Sequence, residues 1–551
     1  MIKHNPFNRY LPWIIIPISL SFFGLIAVLL GKELSWDLAN YHYYNPYAWL
    51  HHRTDHDFLP TSFVHQFLNP LLDIFTYFLI NHYSAWCMEF ILGTIHGVNF
   101  FWLFLIARAL KVPTILSILL SLIGIYGPTA LPGLGSVQND NVIANFVLLF
   151  VWLEIRLLQS PQQAWYGFRQ CLVSIILGLG IGLKLTGAIY SVGALLSLLF
   201  LPRNLRRFKC VMVCSIGIII GVLCSGGFWF WSLWTHYGNP IFPFFNNIFH
   251  AKEFAYINWQ DTRFLPKTLW QYIFFPFYFS WDGRTSDVPF QDVRFLLLYL
   301  CFMIYGIQLI TLRWAKKSKP LSPSVVWLWL FVIFSYVVWQ FYFSIARYLM
   351  PLEMLAPILI YLIIIHITKI VQLQNILLTM ACYSIIFFMK PAITARLFWY
   401  QGSFFNVSLP SFVKEKNNAY VLMAYPAYGL ELEPRPQFYL IPFFPTSWHF
   451  IGIPLQQNQY LMDKQTILKT RLLLQKAHSV FLLANDVSIP KLYQVAFEVY
   501  HLQKFGLCHF VQSDRQRVTL QNILLCPVQA RIDHINKAKE KTSKYNLRAE
   551  N

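Results

Sequence analysis

Apolar residues in this chain gather into long uninterrupted stretches bounded by charge or turn residues, with little of the short alternation that marks a soluble fold. A bilayer core of roughly 30 Å needs about 20 apolar helical residues. Eleven stretches meet or approach that length. They lie near residues 11–30, 84–107, 112–129, 141–155, 170–184, 185–201, 210–234, 294–312, 324–343, 349–368 and 374–391. The run from Cys171 to Leu201 is long enough for one tilted helix, but Gly182, Lys184 and Gly187 at its middle argue for a short hairpin. The expected architecture is an α-helical polytopic membrane protein of about 11 transmembrane helices.

Between and after these stretches the pattern changes. Residues 31–83 mix aromatics and histidines into helical periodicity, with prolines at 46, 60 and 70. They predict two or three short amphipathic helices lying at the membrane interface, where Trp and Tyr concentrate. Residues 235–294, rich in Phe, Trp and Pro, predict a second segment along the surface. From 393 to 530 charge returns: Ala419–Ala424 and Ser479–Ala484 look like buried strands, and Asp463–Ala477 and Lys491–Gln503 like helices. This predicts a small C-terminal α/β domain. The expected division is therefore a membrane domain over 1–392 carrying outer loops 31–83 and 235–294, an α/β domain over 393–530, and a disordered basic tail over 531–551.

Composition agrees with the membrane reading. Of 551 residues, 56% are apolar and only 12% charged, about half the usual share for soluble domains. The net charge of +19 would suggest nucleic acid if it were spread over a soluble surface. It is not spread. With a cytoplasmic N-terminus, the inside segments hold fifteen Lys and Arg against one acid, Glu154, while the rest of residues 1–392 holds ten against thirteen. An excess of Lys and Arg marks cytoplasmic loops, so the C-terminal domain is expected outside, periplasmic or extracellular. No small-residue cleavage site follows the first apolar segment, which is expected to remain as an anchor. Cys508 and Cys526, in the outer domain, can form a disulfide or remain buried thiols; a bridge closing that loop would contribute about 3 kcal/mol.

No Gly-rich phosphate loop, GxSxG elbow or HExxH motif is present, so any chemistry must come from polar groups at the outer face. Asp37, just past the first membrane helix in WDLANYHYYNPYAWL, is a candidate proton acceptor or an interface marker. Asp140, in GSVQNDN before the fourth helix, is either an N-cap or a second carboxylate that could share a divalent cation. Lys184 in GLKLTG and Arg347 in ARYLMP are expensive near the membrane unless they snorkel or meet an anion such as phosphate. His51, His52, Asp55, His56 and Asp57 suggest a metal site by composition, but their spacing fits no structural zinc pattern and a wet interfacial helix accounts for them.

Taken together, an acid after the first helix, a second before the fourth, basic residues near the outer face, and the runs WDLANYHYYNPYAWL, FLNPLLD, GLKLTG, HYGNPIFPFFN and ARYLMP resemble the C-class glycosyltransferase superfamily, the GT-C fold. The resemblance covers most of residues 1–392. It implies an inverting hexosyl- or pentosyltransferase in the cell inner membrane. Such an enzyme moves a sugar from a polyprenyl-phosphate-linked donor to a glycan, lipid or protein acceptor at the outer face, with membrane lipids around it and no nucleic acid. On that pattern Asp37 is the general base and Asp140 the second acid, which in relatives helps bind metal or acceptor. Lys184 and Arg347 hold the donor phosphate, and Tyr41, His42 and Asn69 in the aromatic first loop contact substrate. A Mg or Mn ion fits such a pattern, but Asp37 is followed by Leu38 where many relatives show paired acids. A transporter or flippase is the alternative from another class; it would bury charges mid-helix and show inverted repeats, and no repeat is seen. A scaffold role for the interfacial aromatics is the third reading.

Overall fold

The computed structural model describes residues 7–54, 56–57, 64–161, 165–201, 207–252, 256–314, 321–392, 396–397, 404–425, 438–454, 464–514 and 521–531. The expected basic tail beyond Arg531, with Asp55, Arg203, Arg206, Lys316, Lys317 and Lys319, lies outside the described residues. Among the described residues nine helices are long and apolar enough to cross a membrane. They are Tyr10–Leu30, Ala85–Ala109, Asp140–Leu158, Tyr166–Leu183, Phe208–Tyr237, Arg294–Thr311, Pro323–Tyr342, Ala346–Ile367 and Val371–Phe388. All eleven apolar stretches are helical, but two, Thr114–Ile125 and Leu185–Leu199, are too short. Among the described residues, nine of the eleven expected helices reach the length of a bilayer core and the other two are shorter apolar helices. The 12 residues of Thr114–Ile125 rise about 18 Å, well under a bilayer core. Gly127 and Pro128 follow it and the chain runs on without a regular helix to Asn139. The Cys171–Leu201 stretch is broken where its glycines indicated: Tyr166–Leu183 ends at Lys184, whose backbone is extended (φ −148°, ψ 108°), and a 3-10 turn, Leu185–Gly187, leads into Ala188–Leu199.

The chain divides into two compact units. The first comprises residues 1–33, 86–244 and 258–394 and holds the membrane helices; the second comprises 34–85, 245–257 and 395–551.

In the first unit, close helix pairs rest on small residues at a spacing of four. On Tyr166–Leu183, Gly178 faces Gly221 of Arg207–Tyr237 and Gly182 faces Ser225 and Gly226, while Gly217 of that helix faces Cys171 and Ser174. A Cβ at Gly178 would run into the Ile218 carbonyl oxygen, and one at Gly221 into that of Ile175. Gly93 and Gly97 serve the same purpose against the first helix, meeting the Phe23 and Ser19 carbonyls. Without water to drive association, such backbone-to-backbone packing is what holds membrane helices together. Gly221→Val is expected to push the two helices apart and to cost about 1–3 kcal/mol, read as a lower midpoint of thermal unfolding in detergent. Met350–Ile367 is buried on nearly every side, from Met350 and Leu352 through Ile364, which is why its sequence is apolar all round. Val371–Phe388 buries only Ala381 and Ile385 and is the most lipid-exposed of the spans. Between the spans, Leu269–Ile273 and Phe275–Asp282 bury Phe275 and Phe279 against Trp339 and expose Trp270, Phe274 and Trp281. That amphipathic division suits the bilayer surface.

The second unit is built on a six-stranded sheet: β1 Tyr420–Tyr425, β2 His449–Pro454, β3 Val480–Asn485, β4 Leu502–Lys504, β5 His509–Val511 and β6 Ile523–Ala530. Strand order is β2-β1-β3-β6-β4, with β5 also on β6. β1 runs parallel to β2 and β3, while β6 is antiparallel to its partners. Helices Lys464–Lys476 and Ile489–Tyr500 flank β3, close to the positions read from periodicity, and Leu422, Leu482, Leu492 and Cys526 lie in the core. Cys508 and Cys526 are joined by a disulfide.

Residues 34–85 pack in this same unit. Their aromatics were expected on a membrane surface; instead Tyr41, Tyr43, Tyr44 and Tyr47 are buried, with Tyr43 4.8 Å from Phe405 ring to ring. Leu71–His82 keeps an exposed apolar face, through Leu71, Phe75 and Phe78. Arg53 and Asp57 lock the segment to β2. The guanidinium donates to both Asp57 oxygens at 2.6 and 2.7 Å and to the carbonyls of Thr446 (2.6 Å) and Trp448 (2.7 Å), while Asp57 also accepts from Phe450 N (3.0 Å) and the Tyr44 hydroxyl (2.8 Å). Burial and the Asp57 carboxylate push the Tyr44 hydroxyl well above the ordinary tyrosine range. This pair accounts for part of the His- and Asp-rich cluster that suggested a wet helix. Beside it, His56 stacks on His449 at 3.8 Å, and burial and Arg53 lower its pKa.

Candidate functional site

Three of the candidate residues, Asp140, Lys184 and Arg347, come together in the first unit. Asp140 opens the Asp140–Leu158 helix directly after Asn139, which is in the left-handed region (φ 65°). Lys184 stands at the break between two helices, and Arg347 in the 3-10 turn Ala346–Leu349 that enters the buried helix. Lys184 Nζ donates to Asp140 Oδ1 at 2.5 Å and to the Gln138 carbonyl at 2.8 Å. Arg347 Nε lies 3.9 Å from Asp140 Oδ2, too far for a hydrogen bond. Both cations stand over the Tyr348 ring, at 5.6 and 5.5 Å from its centre, and the Tyr190 hydroxyl donates to the Tyr348 carbonyl at 2.5 Å. The carboxylate is 6% exposed, whereas the Lys184 and Arg347 side chains are 19% and 29% exposed. Two cations and one buried acid thus share a partly open patch.

The irregular backbone before Asp140 is held from three directions. Glu353 accepts from Thr129 N and Oγ1 (3.3 and 2.6 Å) and from Ala130 N (3.0 Å). Glu33 accepts from Ser136 Oγ (2.8 Å) and Val137 N (2.7 Å), and its own N–H donates to Glu89 at 2.8 Å. Asn141 Nδ2 donates to the Gly133 carbonyl at 2.6 Å. Behind them Arg294, fully buried, donates to Asp292 and to the carbonyls of Glu353 (3.1 Å) and Tyr126 (2.8 Å). Non-helical backbone inside a membrane protein persists only where its polar groups are satisfied in this way.

The remaining candidates lie in the second unit. Asp37, 6% exposed, heads a π-helical turn, Leu38–His42, a rare element concentrated at functional sites. Tyr41 is buried and stacks on His65 at 4.6 Å. His42 is buried, its Nδ1 2.8 Å from Asp73 Oδ1. Asn69 accepts from Leu71 N at 3.0 Å at the entry to Leu71–His82, a turn role.

Asp140, facing two cations, does not fit a divalent cation, which asks for several oxygen ligands. Among the described residues no group of three or more His, Cys, Asp or Glu is arranged to hold one.

No known family model matches the chain, and no curated protein matches it. Among solved structures it is similar to that of ArnT from Cupriavidus metallidurans bound to undecaprenyl phosphate, at 10% sequence identity and a TM-score of 0.47, over 94% of this chain and 97% of that one.

Sequence reasoning missed Tyr348, Tyr190, Glu33, Glu353 and Asp73. Tyr348 was within reach, since it follows Arg347 in the quoted run ARYLMP, and Asp73 closes the run FLNPLLD. The two glutamates carried no local sign of the loop they brace.

Proposed function

We propose that this chain is an integral glycosyltransferase of the cytoplasmic membrane, moving a sugar from a polyprenyl-phosphate-linked donor to an acceptor hydroxyl at the outer face with inversion at the anomeric carbon. The observation that carries the reading is the convergence of Lys184 and Arg347 on one carboxylate over one tyrosine ring, at the ends of membrane helices. A phosphate at this patch would meet a point charge and a planar fork, and its growing negative charge as the sugar leaves would be stabilised there. Asp140 holds Lys184 in place. Asp37 takes the acceptor proton, and Tyr41 lies in the aromatic first loop that contacts substrate. The GT-C resemblance of the loop runs supports these roles, and the fifteen-to-one charge asymmetry supports an outer C-terminal domain.

The test is release of lipid phosphate by purified full-length protein supplied with polyprenyl-phosphate-linked sugars. Lys184→Met and Arg347→Met are each expected to weaken retention of the lipid phosphate about 10–100-fold, the worth of one charge-assisted hydrogen bond. Wild-type protein that releases none from any such donor, or variants that bind the lipid phosphate as tightly as wild type, would remove the reading.

A further inference from the structure

The helix Leu71–His82 is two-sided in a way that sugar transfer does not explain. One side buries Asp73, Thr76, Leu79 and Ile80. Two contacts fasten that side to the turns before it: Asp73 Oδ1 lies 2.8 Å from His42 Nδ1, and Asn81 Oδ1 accepts from the Tyr43 hydroxyl at 2.9 Å. The other side shows Leu71, Phe75 and Phe78, at 39%, 52% and 46% exposure, and then His82. Positions 71, 75, 78 and 82 form one stripe of a helix with 3.6 residues per turn. At its end the His82 ring stacks on Phe78 at 4.4 Å, and the exposed Tyr83 ring stands edge-on to Phe78 at 6.0 Å.

Chain continuity and charge both say what covers this stripe. The membrane span Ala85–Ala109 begins three residues after His82, and three residues reach at most about 11 Å. The chain itself therefore keeps the end of this helix beside a bilayer surface. Between Leu71 and Trp86 the sequence has one acid, Asp73, and no Lys or Arg. That acid is turned inward onto His42, so the outward stripe brings no charge that lipid would have to desolvate. His82, Tyr83 and Trp86, all exposed around the join, are rings with an apolar body and a polar tip, the kind that collects at headgroup level.

We infer that Leu71–His82 is a lipid-docking helix that anchors the second unit to the bilayer surface. Leu71, Phe75 and Phe78 enter the boundary between headgroups and acyl chains, about 5–10 Å deep, as the apolar face of an interfacial helix does. With no cation on the helix, the docking is apolar and does not depend on anionic lipid or on salt. The anchor has a use beyond attachment. Its buried side holds His42, the last residue of the turn that Asp37 heads, so the same helix ties that turn to the membrane surface. The inference goes beyond the transfer reaction and does not require it.

The experiment is photo-crosslinking of full-length protein in phosphatidylcholine nanodiscs. Benzoylphenylalanine takes the place of Phe75, of Phe78 or, for comparison, of Val487, an equally exposed turn residue of the same unit at 51%. After irradiation, mass spectrometry should find lipid adducts at positions 75 and 78 and none above background at 487. The yield should not change when phosphatidylglycerol is mixed in or salt is raised. Adducts to a second copy of the chain in place of lipid, lipid yields at 75 and 78 no higher than at 487, or a yield that needs the anionic lipid would overturn the inference. A second measurement uses Phe75→Cys and Val487→Cys in the same nanodiscs, each read by mass on its own peptide so that the native thiols do not interfere. Docking predicts loss of labelling by a water-soluble maleimide at Phe75→Cys with labelling kept at Val487→Cys; equal labelling of the two overturns it. Neither measurement involves sugar transfer, so a failure here leaves the proposed function standing.

Discussion

Replacing Asp37 with Asn in the full-length protein is expected to lower sugar transfer by about 10²- to 10⁴-fold, the range over which a positioned base contributes. The change is close to isosteric and exchanges one oxygen for an amide, so packing at this 6%-exposed position is largely kept. What is lost is the negative charge and the capacity to accept a proton. Binding of the lipid phosphate is expected to remain, since the proposed phosphate contacts are Lys184 and Arg347. The variant should therefore separate into normal protein level, normal retention of lipid phosphate and a collapsed rate. Release of lipid phosphate measured beside protein level in membranes checks this. Unchanged transfer at normal level would take the base role away from Asp37.

Much of the membrane unit was legible because its constraint is local: a helix that must be apolar over a bilayer's thickness shows that length in the sequence. Where the reading stopped short, the deciding partners were remote. Residues 112–129 were read as one span, yet the helix ends at Ile125 and the backbone beyond is held by Glu353, 224 positions from Thr129, and by Glu33, 103 positions from Ser136. No window around residue 129 contains that information. Lys184 and Arg347 were identifiable from the cost of an ionisable group at a membrane, and Asp140 as a carboxylate opening a helix. That they share one site is a property of three helix termini meeting, which no spacing records. The glycine pairs at 93 and 97, 178 and 182, and 217 and 221 are the opposite case: their four-residue spacing is written in the sequence, and only the matching of partners needed the structure. The first loop misled most. Its tyrosines and histidines have the composition of an interfacial helix, but composition does not distinguish an aromatic buried against lipid from one buried against other aromatics of its own domain, as Tyr43 is against Phe405 and Phe443.

That last distinction has a sharp consequence at Arg53. Arg53→Ala is expected to cost the second unit about 3–5 kcal/mol, because it leaves the Asp57 carboxylate buried without its cation. The Asp57 side chain is wholly buried, and only the Tyr44 hydroxyl and Phe450 N–H would remain to it. The Thr446 carbonyl would lose its donor at the same time, and the Trp448 carbonyl the shorter of its two contacts, keeping His56 Nε2 at 3.3 Å. The loss should appear as a lower unfolding midpoint and as rapid proteolysis within residues 34–85 of the full chain, with the Cys508–Cys526 bridge intact. Replacing both partners by Arg53→Met and Asp57→Leu removes the stranded charge but still strands Tyr44, Phe450 and the Thr446 carbonyl. The double variant should therefore recover part of the loss and not all of it. Had these residues formed the wet interfacial helix that their composition suggested, Arg53→Ala would fall among exposed ion pairs worth at most about 1 kcal/mol. The gap between those two magnitudes is wide enough for one melting curve to separate a segment lying on a membrane from one built into the core of a domain.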